Sequence, residues 1–117
     1  MIARADAEAL AAHWVAAWNA HDLDAITGHY ADDVEVASPI AAQLLGGDGR
    51  VVGKAAVRAY FAKGLAASPT LRFELKQVLV GTDTIVLYYA NQRGGHTAEV
   101  MRLDAHGKVA WMRATYA

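Results

Sequence analysis

The sequence predicts an α+β domain in which helices pack against one face of a cone-shaped, curved antiparallel sheet. Two observations predict it. Early in the chain, apolar residues recur at helical spacing, as in Leu10, Trp14 and Trp18; from Leu71 onward they alternate with polar residues as strands do. Helices therefore come first and strands last, which segregates them into two layers instead of interleaving them as a parallel α/β sheet requires. The 117 residues suffice for one domain with its own core, and no linker, repeat or low-complexity stretch divides them.

Asp6 is placed to cap the first helix, whose apolar face is Leu10, Trp14 and Trp18 with Ala7 and Ala11 beside them; Asn19-Ala20-His21 ends it. Asp22 caps a short second helix with the face Leu23, Ile26 and Tyr30, broken at Asp32-Asp33. Val34, Val36 and Ser38 share one face of a first strand, which Pro39 closes. Gly46, Gly47 and Gly49 make 40–52 a loop or loose hairpin, with Leu44 and Leu45 apolar enough to fold over something. Gly53-Lys54 opens a third helix that faces inward with Val57, Phe61 and Leu65, flanked by Tyr60, and Ser68-Pro69 stops it.

Four strands follow. Leu71, Phe73 and Leu75 alternate with charged residues until the parity shifts at Val78, which implies a bulge near Lys76-Gln77. Thr84 to Gln92 is almost continuously apolar and reads as a central strand covered on both faces. Val86 and Tyr88 are assigned to its inner face, with Leu87, Tyr89 and Asn91 as the other set. Gly94-Gly95 turns the chain into the strand His96 to Leu103, where Thr97, Glu99, Met101 and Leu103 share a face. The last strand puts Ala110, Met112, Ala114 and Tyr116 on one side, and Val109, Trp111, Arg113 and Thr115 on the other.

Composition narrows the function. The 11 basic and 12 acidic residues form no basic stripe, so nucleic acid is not an expected partner. There is no cysteine to supply a disulfide or a thiolate ligand, and the five histidines lack metal-ligand spacing, so neither metal nor cofactor is expected. The stretch from Gly46 to Lys54 fails as a phosphate loop, having Asp48 where its first glycine is needed and Ala55 in place of Ser or Thr. No segment reads as a leader or a membrane span, so a soluble cytoplasmic protein is expected. Apolar residues make up 55% of the chain, enough to line a pocket and to cover a homodimer interface through Val109, Trp111 and Tyr89.

Glu99 stands out because a carboxyl among apolar neighbours is costly unless paired, hydrogen-bonded or protonated. In a dry cavity its pKa rises, and it becomes a hydrogen-bond donor or a general acid/base; the competing reading is a structural Glu satisfied by Arg113 or a tyrosine. Tyr30 is the second candidate catalytic residue. Trp14, Trp18, Ser38, Phe61, Tyr88, Met101, Met112 and Tyr116 complete the predicted wall of a small-molecule pocket.

The stretches Trp18-Asn19-Ala20-His21-Asp22-Leu23-Asp24-Ala25-Ile26, His29-Tyr30-Ala31-Asp32-Asp33-Val34-Glu35-Val36, Gly53-Lys54-Ala55-Ala56-Val57-Arg58, Glu99-Val100-Met101-Arg102 and Gly107-Lys108-Val109-Ala110-Trp111-Met112-Arg113 resemble the nuclear transport factor 2-like (cystatin-like) superfamily, in its ketosteroid isomerase and SnoaL-like branch. The resemblance implies that Glu99 takes the place of the isomerases' protonated aspartate. It sets Ser38 where they carry the aspartate base and Trp14 where they carry a tyrosine donor. The function so expected is a cofactor-free isomerase, dehydratase or cyclase acting on a small apolar molecule; the alternative is a non-catalytic ligand-binding or dimeric structural module.

Overall fold

The computed structural model describes residues 1–117 and runs α1 (Arg4–Asn19), α2 (Leu23–Thr27), β1 (Tyr30–Ala37), α3 (Pro39–Leu45), β2 (Arg50–Val52), α4 (Lys54–Ala67), β3 (Glu74–Val80), β4 (Thr84–Ala90), β5 (His96–Leu103) and β6 (Val109–Tyr116). The strands form one sheet in the order β2-β1-β6-β5-β4-β3. Only β1 and β6 run parallel, so the sheet is mixed. The architecture is α+β, with α1 and α4 against the inner face of the sheet.

Local chemistry sets most boundaries. α1 starts at Arg4 with no side-chain cap, and Asp6 lies in its first turn, where a negative charge favours the helix dipole. Asp22 does cap α2, its carboxylate accepting from the Ala25 N–H at 3.1 Å. α2 stops at Thr27, earlier than its apolar spacing implies, because the Val109 N–H bonds the His29 carbonyl and draws the chain into the sheet. Tyr30 therefore opens β1, and Asp32 and Asp33 lie within the strand on its exposed side.

The segment after Pro39 is not a loop. Ser38 accepts from the Ala41 N–H at 2.9 Å and Pro39 occupies the first turn, so the residue pair that ends β1 also starts α3. Leu44 and Leu45 end that helix at the surface, 37% and 45% exposed. β2 then returns against β1, pairing Val51 with Val36. The return depends on Gly49, whose φ of 78° is left-handed and whose Cβ position lies 2.4 Å from the Ser38 carbonyl oxygen. Gly49→Ala is expected to lower stability by about 2 kcal/mol, read from the urea midpoint.

Two further irregularities shape the sheet beside the shift of β1 against β6 between Tyr30 and Glu35. β3 shifts register between Leu75 and Gln77, where the sequence parity broke. A second shift, in β6 between Val109 and Trp111, leaves Ala110 as an extra residue and turns Val109 inward to 0% exposure, against the outward side its parity predicts. On β4 the inward set is Ile85, Leu87 and Tyr89. Tyr88 is 37% exposed on the opposite face, stacked on His96 with ring centroids 5.3 Å apart. A two-residue Gly94-Gly95 turn would have paired Arg93 with His96. The actual loop spans 91–95 and pairs Ala90 with His96, which inverts the facing of every β4 residue.

Between helices and sheet lies a continuous aromatic layer. Trp14 tilts against Trp18 at 5.9 Å and stacks on Phe73 at 5.7 Å; Trp18 meets Phe61 edge-on at 4.9 Å, and Phe73 meets Tyr89 at 4.3 Å. The layer leaves a gap at one end, and that gap holds the candidate site.

Candidate functional site

β5 is flanked by β4 and β6, so its inward residues sit at the centre of the sheet. The register sets Glu99 opposite Leu87 on one side and Ala114 on the other, both apolar. Glu99 is 5% exposed. Tyr89 donates its hydroxyl to Oε1 at 2.7 Å. The other oxygen, Oε2, is buried with no partner. Burial dominates, pushing the carboxyl up to about 7, and the Tyr89 hydrogen bond opposes it only in part. Near neutrality the group thus exists both as an acid and as a carboxylate.

Glu99 lies on the wall of a cavity of about 90 Å³ between α1, α4 and the sheet. Trp14, Trp18 and Phe61 form its helical side, and Met112 and Tyr116 join Glu99 on the sheet side. Ser38 reaches it from the end of β1. Three predicted site residues lie elsewhere. Tyr30 is in the core behind the wall, its hydroxyl accepting from Trp14 Nε1 at 3.0 Å and donating to Met112 Sδ at 3.4 Å. Met101 is fully buried, paired with Ile85 and Met112 below the cavity floor. Tyr88 is outside, as the β4 register dictates. Arg113 does not reach Glu99 either. It lies over the Trp111 ring on the outer face and pairs with Glu35, holding that carboxyl below its usual range.

The cavity also contains residues that the sequence patterns did not single out. Tyr89 faces inward because of the hairpin register, and Phe73 is carried in by the segment before β3. Tyr60, set beside Phe61 on α4, puts its hydroxyl 2.7 Å from Ser38 Oγ. Burial raises the Tyr60, Tyr89 and Tyr116 hydroxyls, and an ionised Glu99 acts in the same direction, so all three remain protonated at neutral pH. At the mouth stand Asn91, Gln92 and Arg93, whose guanidinium lies 5.2 Å from the Tyr116 ring centre. No three His, Asp or Glu side chains converge in the structure. His29 packs against His13 at 6.3 Å, away from the cavity.

The buried carboxyl couples stability to pH. Its folded pKa, about 7, lies above the ordinary 4.5, so between these values the native state binds more protons than the unfolded chain. The contribution is full below about pH 4.5 and is lost as pH rises through 7, a change of about 3 kcal/mol. Urea unfolding at pH 5 and pH 8 should show this loss in the native chain and not in Glu99→Gln; equal slopes for the two would remove Glu99 as its source.

Comparison with known proteins gives a consistent picture. The family model of the SnoaL-like domain matches residues 11–115. A SnoaL-like protein of unknown function from Burkholderia thailandensis is 39% identical, with a TM-score of 0.94 over 100% of this chain and 99% of that one. RV0760c from Mycobacterium tuberculosis is similar at 22% identity and a TM-score of 0.77, covering 100% and 95% of the two chains. TerC, co-crystallised with polyporic acid, shares the fold at 18% identity and a TM-score of 0.78, covering 96% and 91%. No curated protein matches the chain.

Proposed function

The chain belongs to the SnoaL-like domain family of the nuclear transport factor 2-like superfamily, and from that premise we propose that its cavity takes a small, mainly apolar ring bearing a carbonyl or enol oxygen, on which Glu99 acts as general acid and base. The observation that carries this reading is the divided environment of one carboxyl. Oε1 is held by Tyr89 while Oε2 is buried, unpartnered and on the cavity wall. Such an oxygen costs free energy unless a ligand or a proton satisfies it.

The chemistry follows from those two oxygens. Protonated Glu99 donates through Oε2 to a ligand carbonyl. As the proton passes to that oxygen, the Tyr89 hydrogen bond stabilises the carboxylate left behind. The same carboxylate then removes a proton from the adjacent carbon, leaving an enol and restoring the acid. A pKa near operating pH makes both transfers efficient. The reaction classes proposed are isomerisation, dehydration and cyclisation, which proton transfer by Glu99 can support. No second carboxylate lines the cavity, and Ser38 is engaged by Ala41 and Tyr60, so Glu99 serves in both directions. The cavity volume of about 90 Å³ is below the roughly 300 Å³ of ordinary ligand pockets and the roughly 150 Å³ that encloses benzene, so a bound ring is only partly enclosed and extends into the mouth. A structural relative crystallised with polyporic acid supports a small organic ligand.

Deuterium uptake tests the reading without knowledge of the natural substrate. In D₂O the protein is expected to speed exchange into the methyl group of acetophenone, followed by NMR, with a pH dependence centred near 7. Binding without exchange would make this a ligand-holding module; no binding would remove the reading altogether.

A further inference from the structure

Three buried side-chain atoms in the chain lack a hydrogen-bond partner: Glu99 Oε2, Trp18 Nε1 and Gln92 Oε1. All three residues line the same cavity. Natural cores leave very few such atoms, and three around one cavity describe a ligand by complement. Trp18 Nε1 can only donate, and protonated Glu99 donates, so each needs an acceptor; Gln92 Oε1 only accepts, so it needs a donor. The surfaces around them are the faces and edges of Trp14, Phe61, Phe73 and Tyr89, which favour a flat ring.

We propose that the ligand is a planar ring with two separated oxygen functions: a carbonyl directed to Glu99, and a second oxygen, carrying a hydroxyl hydrogen, that accepts from Trp18 and donates to Gln92. The substrate class is thus a hydroxylated aryl or cyclic ketone, not a plain hydrocarbon or a simple ketone. The inference rests on the Glu99 reading above and adds the second oxygen. A site built for a hydroxyl discriminates against the analogue that lacks it, because the protein atoms are then left unpaired. Gln92 stands at the mouth beside Arg93, so the hydroxyl end of the ring points outward and the carbonyl end inward.

The test is calorimetric binding at pH 6 of ethylbenzene, acetophenone and 4-hydroxyacetophenone to the intact protein. The carbonyl and then the hydroxyl should each tighten binding by about tenfold. Trp18→Phe, which removes the N–H and keeps an aromatic ring, should erase the gain from the hydroxyl and leave the gain from the carbonyl. Gln92→Leu should do the same, and Glu99→Ala should erase only the carbonyl gain. Melting curves confirm that each variant is folded. If the carbonyl matters and the hydroxyl adds nothing, the second oxygen is refuted while the Glu99 reading stands. If the carbonyl adds nothing, the Glu99 reading fails. Equal weakening of acetophenone and 4-hydroxyacetophenone by Trp18→Phe assigns Trp18 to packing and also overturns the proposal.

Discussion

Glu99→Gln is expected to reduce proton exchange on acetophenone by about 10²- to 10⁴-fold while changing its affinity little. Glutamine keeps the shape of the side chain. Its carbonyl oxygen can accept from Tyr89 as Oε1 does, and its amide N–H can donate to the ligand from the position of Oε2. What it cannot do is give up or take back a proton near neutral pH. The substitution therefore separates holding a ligand from transforming it. Retention of full exchange by Glu99→Gln, in protein shown to bind acetophenone, would end the assignment of Glu99 as acid and base. The same variant should be more stable than the native chain above pH 7, since an ionised carboxyl at 5% exposure is replaced by a neutral amide. A gain in stability with a loss of turnover is the signature of a group kept for chemistry and not for packing.

How far the site was legible in the sequence depends on which residues one asks about. The inward facing of Glu99 follows from strand parity, and the helix faces around Trp14, Trp18 and Phe61 follow from their spacing; the structure puts all four on the cavity wall. The β3 bulge was visible in the shift of apolar parity, and the structure places it between Leu75 and Gln77. Tyr88 and Tyr89 could not be separated in this way. Both faces of β4 are apolar, so parity is silent, and only the length of the 91–95 loop decides which tyrosine meets Glu99. Tyr30 leaves its expected helix for a different reason. Its spacing from Leu23 and Ile26 continues a helical face, but a tertiary hydrogen bond from Val109 to His29 ends the helix first. Ser38-Pro39 is both a strand terminator and a helix start signal, and in the structure it serves as both. For Tyr88 and Tyr30 the deciding interaction is a loop length or a long-range hydrogen bond, which local patterns do not encode; for α3 the signal is local.

Trp14→Ala is expected to destabilise the protein by about 3–5 kcal/mol, measured by urea unfolding. Trp14 is 1% exposed and touches Trp18, Phe73 and Tyr89, so its removal opens a void that links α1 to the sheet. It also withdraws the donor that Nε1 supplies to the Tyr30 hydroxyl at 3.0 Å. Trp14→Phe separates the two losses. It keeps most of the apolar bulk and forfeits the hydrogen bond, at about 1–2 kcal/mol. A loss below about 1 kcal/mol for Trp14→Ala would mean that the aromatic layer collapses freely around the gap and is not a rigid wall. The functional consequence is as specific. Trp14 occupies the position that the family resemblance assigns to a tyrosine donor, yet its single N–H is directed to Tyr30, away from the ligand space. Trp14→Phe should therefore leave exchange on acetophenone within about twofold per folded molecule, a factor worth less than a single hydrogen bond. A loss as large as that of Glu99→Gln would show instead that the indole N–H turns to the ligand in the working protein.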